Sequence, residues 1–165
     1  MWRTKVVTIF FMFIISATAL IKAPIAAAQG ASEPAPGPIP TPLLTSKRVF
    51  ISNAGSTIGK APVNLAYNEF YTYMKSWGKY ELVSAPADSD LIFEIHFVAA
   101  GTPFFGTHGE DAEQICLVML DTKTRVVLWV VTEPVRGAGF ESSARKNFDR
   151  AMTSLVGNVK KLTTP

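Results

Sequence analysis

The sequence predicts an α+β domain in two layers, with two helices on one face of a mixed sheet of about five strands. Two stretches repeat apolar residues at intervals of three and four, as amphipathic helices do, and five shorter stretches have strand patterns. The predicted order along the chain is β-α-β-β-β-β-α. Two helices are enough to cover only one face of a sheet of this width.

The first three strands and the first helix are predicted between residues 47 and 98. Strand patterns occupy 47–52 and 80–85, and a third strand runs through "DLIFEIHFVAA", where an apolar face alternates with a mixed face. The helix is predicted to start at Pro62, which suits a first helical position, and to end at Gly78. Its apolar stripe consists of Val63, Ala66, Tyr67, Phe70, Met74 and Trp77.

A hairpin and a long helix are predicted in the second half. Strands at 113–121 and 126–135 flank "TKTR" as antiparallel partners, and both are apolar along their length. Strands of this kind normally lie centrally in a sheet with both faces buried. The chain is predicted to be helical from about Ser142, with Ser142 or Ser143 as the cap. The apolar stripe of this helix consists of Ala144, Phe148, Ala151, Met152, Leu155, Val159 and Leu162.

The N-terminus predicts export through a membrane. Arg3 and Lys5 form a basic start, an unbroken apolar run follows over 6–21, and small residues then offer a cleavage site before Gln29. We therefore expect residues 1–28 to be a signal peptide. The apolar run is a little short of a comfortable bilayer span, so an uncleaved anchor is the alternative. The membrane is a partner only in that case.

A proline-rich tether and a single domain are expected after the signal peptide. Residues 29–44 contain five prolines and should be extended rather than part of a core. Residues 45–165 are one domain's length of chain, enough to bury a core without metal or disulfide. The single cysteine, Cys116, excludes a disulfide within the chain and a lipid-modified cysteine at the cleavage site.

The net charge does not predict a nucleic-acid partner. The chain has 16 Lys and Arg against 13 Asp and Glu, but Arg3, Lys5 and Lys22 lie in the N-terminal segment. The remainder is balanced, so its composition does not support a basic footprint for nucleic acid or anionic lipid.

Two short stretches, "PADSDLIFEI" and "LDTKTRVVLW", resemble small exported domains of unknown function that are often found on bacterial lipoproteins. In those domains an "A-D" opens a strand, and a "D-x-x-T-G" hairpin is followed by a tryptophan, here Trp129. The element order is also similar to that of the TolB N-terminal domain and of periplasmic activators of peptidoglycan synthases. The resemblance covers about residues 47–163 and implies a fold rather than an activity. Arg125 replaces the hairpin glycine, which implies either a strained left-handed residue or a different turn.

Two motifs imitate enzyme signatures and are rejected. "AGSTIGKA" has the spacing of a phosphate-binding loop, but Ala61 stands where a Ser or Thr hydroxyl must bind magnesium. The strand that ends in Asp121 could imitate the partner motif, but it runs into a hairpin instead of a helical crossover. Ser143 and Lys146 have the spacing of penicillin-interacting serine enzymes, yet the "KTR" that imitates their second motif comes before the serine.

Histidines and acidic residues form a second candidate site. His108 lies close in sequence to Glu110 and Asp111, and His96 with Glu94 could join them as metal ligands. A strand end and a loop separate the two histidines, so their spacing fixes no coordination geometry, and a solvated loop is the alternative. A small metal-dependent hydrolase using the His96 and His108 neighbourhood is the second functional hypothesis.

Large apolar residues provide the main functional signal. Phe104 and Phe105 lie between loop breakers in "TPFFG", and with Trp129 they form the candidate interaction surface, beside a sheet face without a helix. The phenylalanines either fold back into the core or dock another protein. We therefore predict a non-enzymatic bacterial protein without cofactors, periplasmic or secreted. Its expected partner is an unknown envelope protein or a second copy, and not nucleic acid.

Overall fold

The computed structural model describes residues 37–56, 64–102, 112–137 and 139–164. Within these ranges it contains five strands, three α-helices and a short 3₁₀ turn at Pro86–Asp88. None of the described helices is both long and apolar enough to cross a membrane. The strands are β1 (Arg48–Ser56), β2 (Glu81–Val83), β3 (Leu91–Val98), β4 (Glu113–Asp121) and β5 (Val127–Val135), and the helices are α1 (Thr41–Thr45), α2 (Leu65–Trp77) and α3 (Glu141–Thr163).

The strands form one mixed sheet in the order β2-β1-β3-β4-β5. β1 is parallel to β2 and β3, whereas β4 is antiparallel to β3 and β5. The two-layer α+β fold predicted from the sequence is therefore confirmed. The hairpin strands differ from the prediction in one respect, because β5 is an edge strand rather than a central one. Only β4 flanks it in the sheet, and α3 packs against one of its two faces.

The larger core lies between the sheet and helices α2 and α3. Phe70 of α2 contacts Phe93 of β3, with ring centres 6.4 Å apart. Phe148 of α3 meets Phe97 of β3 edge-on, at 5.4 Å and 77°. The apolar stripes of both helices thus face the same side of the sheet, as their periodicity predicts.

Helix α1 corrects the predicted limit of the tether. The sequence predicts an extended tether through residue 44, but Leu43 lies in α1 and is 0% exposed within the larger core. The hydroxyl of Tyr80 donates a hydrogen bond to the Leu43 carbonyl oxygen at 3.3 Å. Pro42 lies at the start of this helix, where proline is tolerated, so a proline-rich composition did not prevent a helical turn here. Residues 29–36 lie outside the described residues.

Helix α3 begins slightly earlier than predicted, whereas the predicted start of α2 cannot be compared with the structure. α2 is described from Leu65 and ends at Gly78, whose left-handed conformation (φ +70°) suits glycine. The proposed start at Pro62 lies outside the described residues. α3 begins directly after Phe140, whose carbonyl oxygen accepts bonds from the backbone N–H groups of Ser143 and Ala144. The prediction of Ser142 or Ser143 as the cap is therefore wrong, because both lie in the first helical turn.

Candidate functional site

The sheet face opposite α2 and α3, called the second face below, carries its own apolar cluster. Ile92, Val118 and Leu120 form the cluster, and the half-buried Phe50 and Val130 pack against it. Ile92 pairs with Leu120 and Val118 pairs with Val130, so these side chains lie side by side on β3, β4 and β5. The second face is therefore apolar at its centre, although α2 and α3 both lie on the other side.

The central residues of the second face are buried. Ile92 is 2% exposed, Val118 is 0% and Leu120 is 7%, while Phe50 and Val130 keep part of their surface accessible. β3 and β4 thus bury apolar side chains on both faces, as continuous apolar strands normally do. The accessible apolar surface of this face is at its margins, on β1 and β5.

Polar groups occupy the part of the second face nearest to the β3–β4 connection. Cys116 pairs with His96 across the strands and is 0% exposed. Burial raises the pKa of the Cys116 thiol. Burial also lowers the pKa of the His96 imidazole, and the nearby Glu94 charge opposes that shift in part. Both side chains are therefore uncharged at neutral pH, which favours the interpretation of Cys116 as a small buried residue rather than a reactive thiol.

The proposed metal site falls only partly on described residues. Glu94 and His96 lie on the second face of β3, and Glu94 Oε1 is 3.5 Å from Arg125 Nη2. In the part of the chain that the structure describes, no three His, Cys, Asp or Glu side chains are grouped as metal ligands. His108, Glu110 and Asp111 lie outside that part, so the hydrolase hypothesis stays a prediction.

The hairpin turn keeps a left-handed residue although Arg125 replaces glycine there. Arg125 has φ +59°, which costs roughly 1–2 kcal/mol for a residue with a Cβ atom. Asp121 Oδ1 accepts hydrogen bonds from the Thr124 backbone N–H at 2.7 Å and from the Thr124 hydroxyl at 2.8 Å. These bonds lower the pKa of Asp121. Asp121 is thus a turn residue, in agreement with the rejection of a magnesium site.

Trp129 lies on the helix-covered face rather than on the second face. It pairs with Met119 and packs, half-buried, against the larger core. Successive side chains of a strand point to opposite faces, so β5 contributes Val130 to the second face instead. The structure thus places Trp129 against the larger core, and its part in the interaction surface stays a prediction. Phe104 and Phe105 lie outside the described residues.

Phe50 and Val130 are second-face residues that sequence reasoning missed. The sequence of β5 does not show which of its alternate residues point to which sheet face, because "VVLWVV" is apolar at both odd and even positions. Phe50 had a clearer signal, since it lies within the strand pattern "KRVFIS" between Val49 and Ile51. Val49 and Ile51 point to the larger core and leave Phe50 to the opposite face.

Comparisons with known proteins show similarity of fold. No family model matches the chain, and no curated protein matches it by sequence. The PelC dodecamer from Paraburkholderia phytofirmans is 14% identical, with a TM-score of 0.51 over 79% of this chain and 96% of that chain. Protein XCC0632 from Xanthomonas campestris is 13% identical, with a TM-score of 0.45 over 70% and 82%. Lipoprotein GNA1162 from Neisseria meningitidis is 10% identical, with a TM-score of 0.41 over 67% and 96%.

These comparisons bear on the fold alone, and the lipoprotein-type resemblance stays a prediction. The similarity to PelC supports the two-layer α+β fold, and an identity of this size gives no information on activity. The specific hairpin motif and the likeness to TolB stay predictions.

Proposed function

We propose that the protein is an exported, non-enzymatic component of the bacterial cell envelope that acts by binding another protein through its second face. The half-buried Phe50 and Val130, at the accessible margins of the buried apolar cluster on this face, are the observation that carries the proposal. Apolar surface surrounded by polar groups is typical of protein-binding sites. Glu94 and Arg125, 3.5 Å apart, provide such polar groups beside it.

A second copy of the chain is the partner that we propose first. PelC, which has a similar fold, forms a dodecamer. The Glu94 and Arg125 pair beside this face also supplies charged groups that an interface with a second copy could use. The segment with Phe104 and Phe105 joins the adjacent strands β3 and β4, and we propose that it extends this surface.

Two observations support a non-enzymatic role. Among the described residues, Asp121 holds the hairpin turn and Cys116 is buried within the sheet, so neither is placed as a free catalytic group. The enzyme-like motifs of the sequence also lack the hydroxyl or the order that their chemistry needs. Binding is therefore the role that these residues support best.

Site-specific photo-cross-linking in the exported full-length protein tests the proposal. A photoreactive amino acid at Val130 samples the second face, and the same amino acid at Tyr73, which is 36% exposed on α2, samples the helix layer. We expect Val130 to give an adduct of twice the protein's mass, with Tyr73 giving none. Tagged and untagged copies expressed together identify the second copy. No adduct from Val130, or equal adducts from both positions, would contradict the proposed surface.

A further inference from the structure

The exposed apolar side chains of the domain are concentrated at one end. Strand pairing places the starts of β1, β2, β3 and β5 and the end of β4 there. We call this the tether end and define it as residues 37–48, 75–90, 121–127 and 160–164. Six large hydrophobic residues are exposed in the described ranges, and all but Tyr73 and Phe140 lie at this end: Ile39, Leu44, Val126 and Val127.

Hydrogen bonds connect the parts of the tether end. The Asp90 carboxylate accepts bonds from the backbone N–H groups of Lys47 and Arg48, at 3.0 and 2.9 Å. The Asp90 carbonyl oxygen accepts a bond from the backbone N–H of Thr122 in the hairpin turn. The Lys79 ammonium donates to the carbonyl oxygen of Thr163, which brings the C-terminus of α3 to the same end. These connections make the end a continuous surface of the folded domain.

Basic side chains predominate at the tether end. Among the described residues it has eight Lys and Arg against four Asp and Glu, whereas the rest of the domain has four against six. Two of the four carboxylates are engaged within the chain, Asp90 by backbone N–H groups and Asp121 by Thr124. Arg48 and Arg125 contact carboxylates, while the other basic residues of the end are lysines. They are Lys47, Lys75, Lys79, Lys123, Lys160 and Lys161.

Trp77 adds an aromatic group to this basic surface. The ammonium groups of Lys79 and Lys160 lie 5.6 and 5.5 Å from the centre of its ring. Indole rings and lysines with apolar neighbours are the side chains that proteins place at a bilayer interface. The positive and negative charges of the domain nearly cancel in total, but the basic side chains are concentrated at the tether end.

We propose that the tether end docks on the surface of an anionic phospholipid bilayer. Its lysines complement anionic headgroups, and its scattered exposed apolar residues can enter the headgroup region. The surface spreads across the ends of five strands, which suits a flat partner better than a small ligand. The described chain begins at Gly37, a few residues before α1, so this end is also where the chain continues towards the predicted export segment.

Co-sedimentation with vesicles tests this docking. The protein starting at Gln29 is suitable, because the described core residues, from Leu43 to Thr163, all remain in it. We expect it to bind phosphatidylcholine vesicles that contain phosphatidylglycerol, to bind pure phosphatidylcholine much more weakly, and to dissociate as salt is added.

Two triple variants with equal changes in net charge locate the binding surface. Combining Lys47→Glu, Lys123→Glu and Lys161→Glu changes three exposed lysines of the tether end, and we expect roughly tenfold or greater loss of partitioning. The matched control changes exposed residues elsewhere and should retain binding; it combines Arg136→Glu, Lys146→Glu and Arg150→Glu. Circular dichroism checks that both variants are folded.

Three results would overturn the docking proposal. The first is a lack of binding to the anionic vesicles, and the second is an equal loss in both triple variants. The third is a self-association without vesicles that only the tether-end variant abolishes, since this would assign the end to a second copy. Light scattering of the vesicle-free protein measures that self-association.

Discussion

Replacing Phe148 with alanine is expected to lower the free energy of unfolding by about 3 to 5 kcal/mol. Phe148 is 3% exposed, and its ring meets the Phe97 ring edge-on at 5.4 Å. The substitution removes this contact and leaves a cavity between α3 and the sheet that the neighbouring side chains fill only in part. Denaturant unfolding monitored by circular dichroism measures the change.

Phe140→Ala is the matched control for Phe148→Ala. Phe140 directly precedes the same helix and is 79% exposed, so its loss should change the free energy of unfolding by no more than about 0.5 kcal/mol. Similar small losses for the two variants would contradict the packing of α3 on the sheet.

Leu43→Ala is expected to cost about 2 to 5 kcal/mol of stability. Leu43 is 0% exposed and belongs to the larger core, although it lies in the segment whose composition predicts a tether. Leu44→Ala is the control, because Leu44 follows it in the same helix and is 38% exposed. The two substitutions have the same effect on helix propensity, so the difference between them measures burial alone.

Thermal unfolding of both leucine variants checks this prediction. A much lower midpoint for Leu43→Ala than for Leu44→Ala is expected. Equal midpoints would show that α1 does not dock on the core and that the tether continues to residue 44, as its prolines suggest.

The fold could be predicted because its signals are local. The three- and four-residue spacing of Phe70 and Met74, and that of Phe148 and Met152, identifies the buried face of each helix without knowledge of its neighbours. Strand order depends on pairing between distant segments, which periodicity does not encode. For this reason the sequence placed β5 centrally, whereas it forms an edge.

The candidate site was less predictable than the fold. Because β4 is apolar along its length, the sequence predicts a second apolar sheet face. Which side chains lie on that face depends on which alternate residues of each strand point towards it. "VVLWVV" is apolar in either phase, so the sequence could not distinguish Trp129 from Val130. The basic tether end was also missed, because total charge does not show where Lys47, Lys123 and Lys161 lie relative to one another.

Replacement of both Phe104 and Phe105 by serine tests most directly whether the second face and its adjoining segment bind protein. We expect the isolated domain to keep its thermal midpoint and to lose self-association, measured by light scattering, because the proposed surface assigns the two rings to the partner and not to the core. Phe140→Ser, which also removes an apolar ring, should retain self-association. A large fall in the midpoint of the monomer would show that the rings belong to the core. Unchanged stability together with unchanged association would contradict the proposed surface.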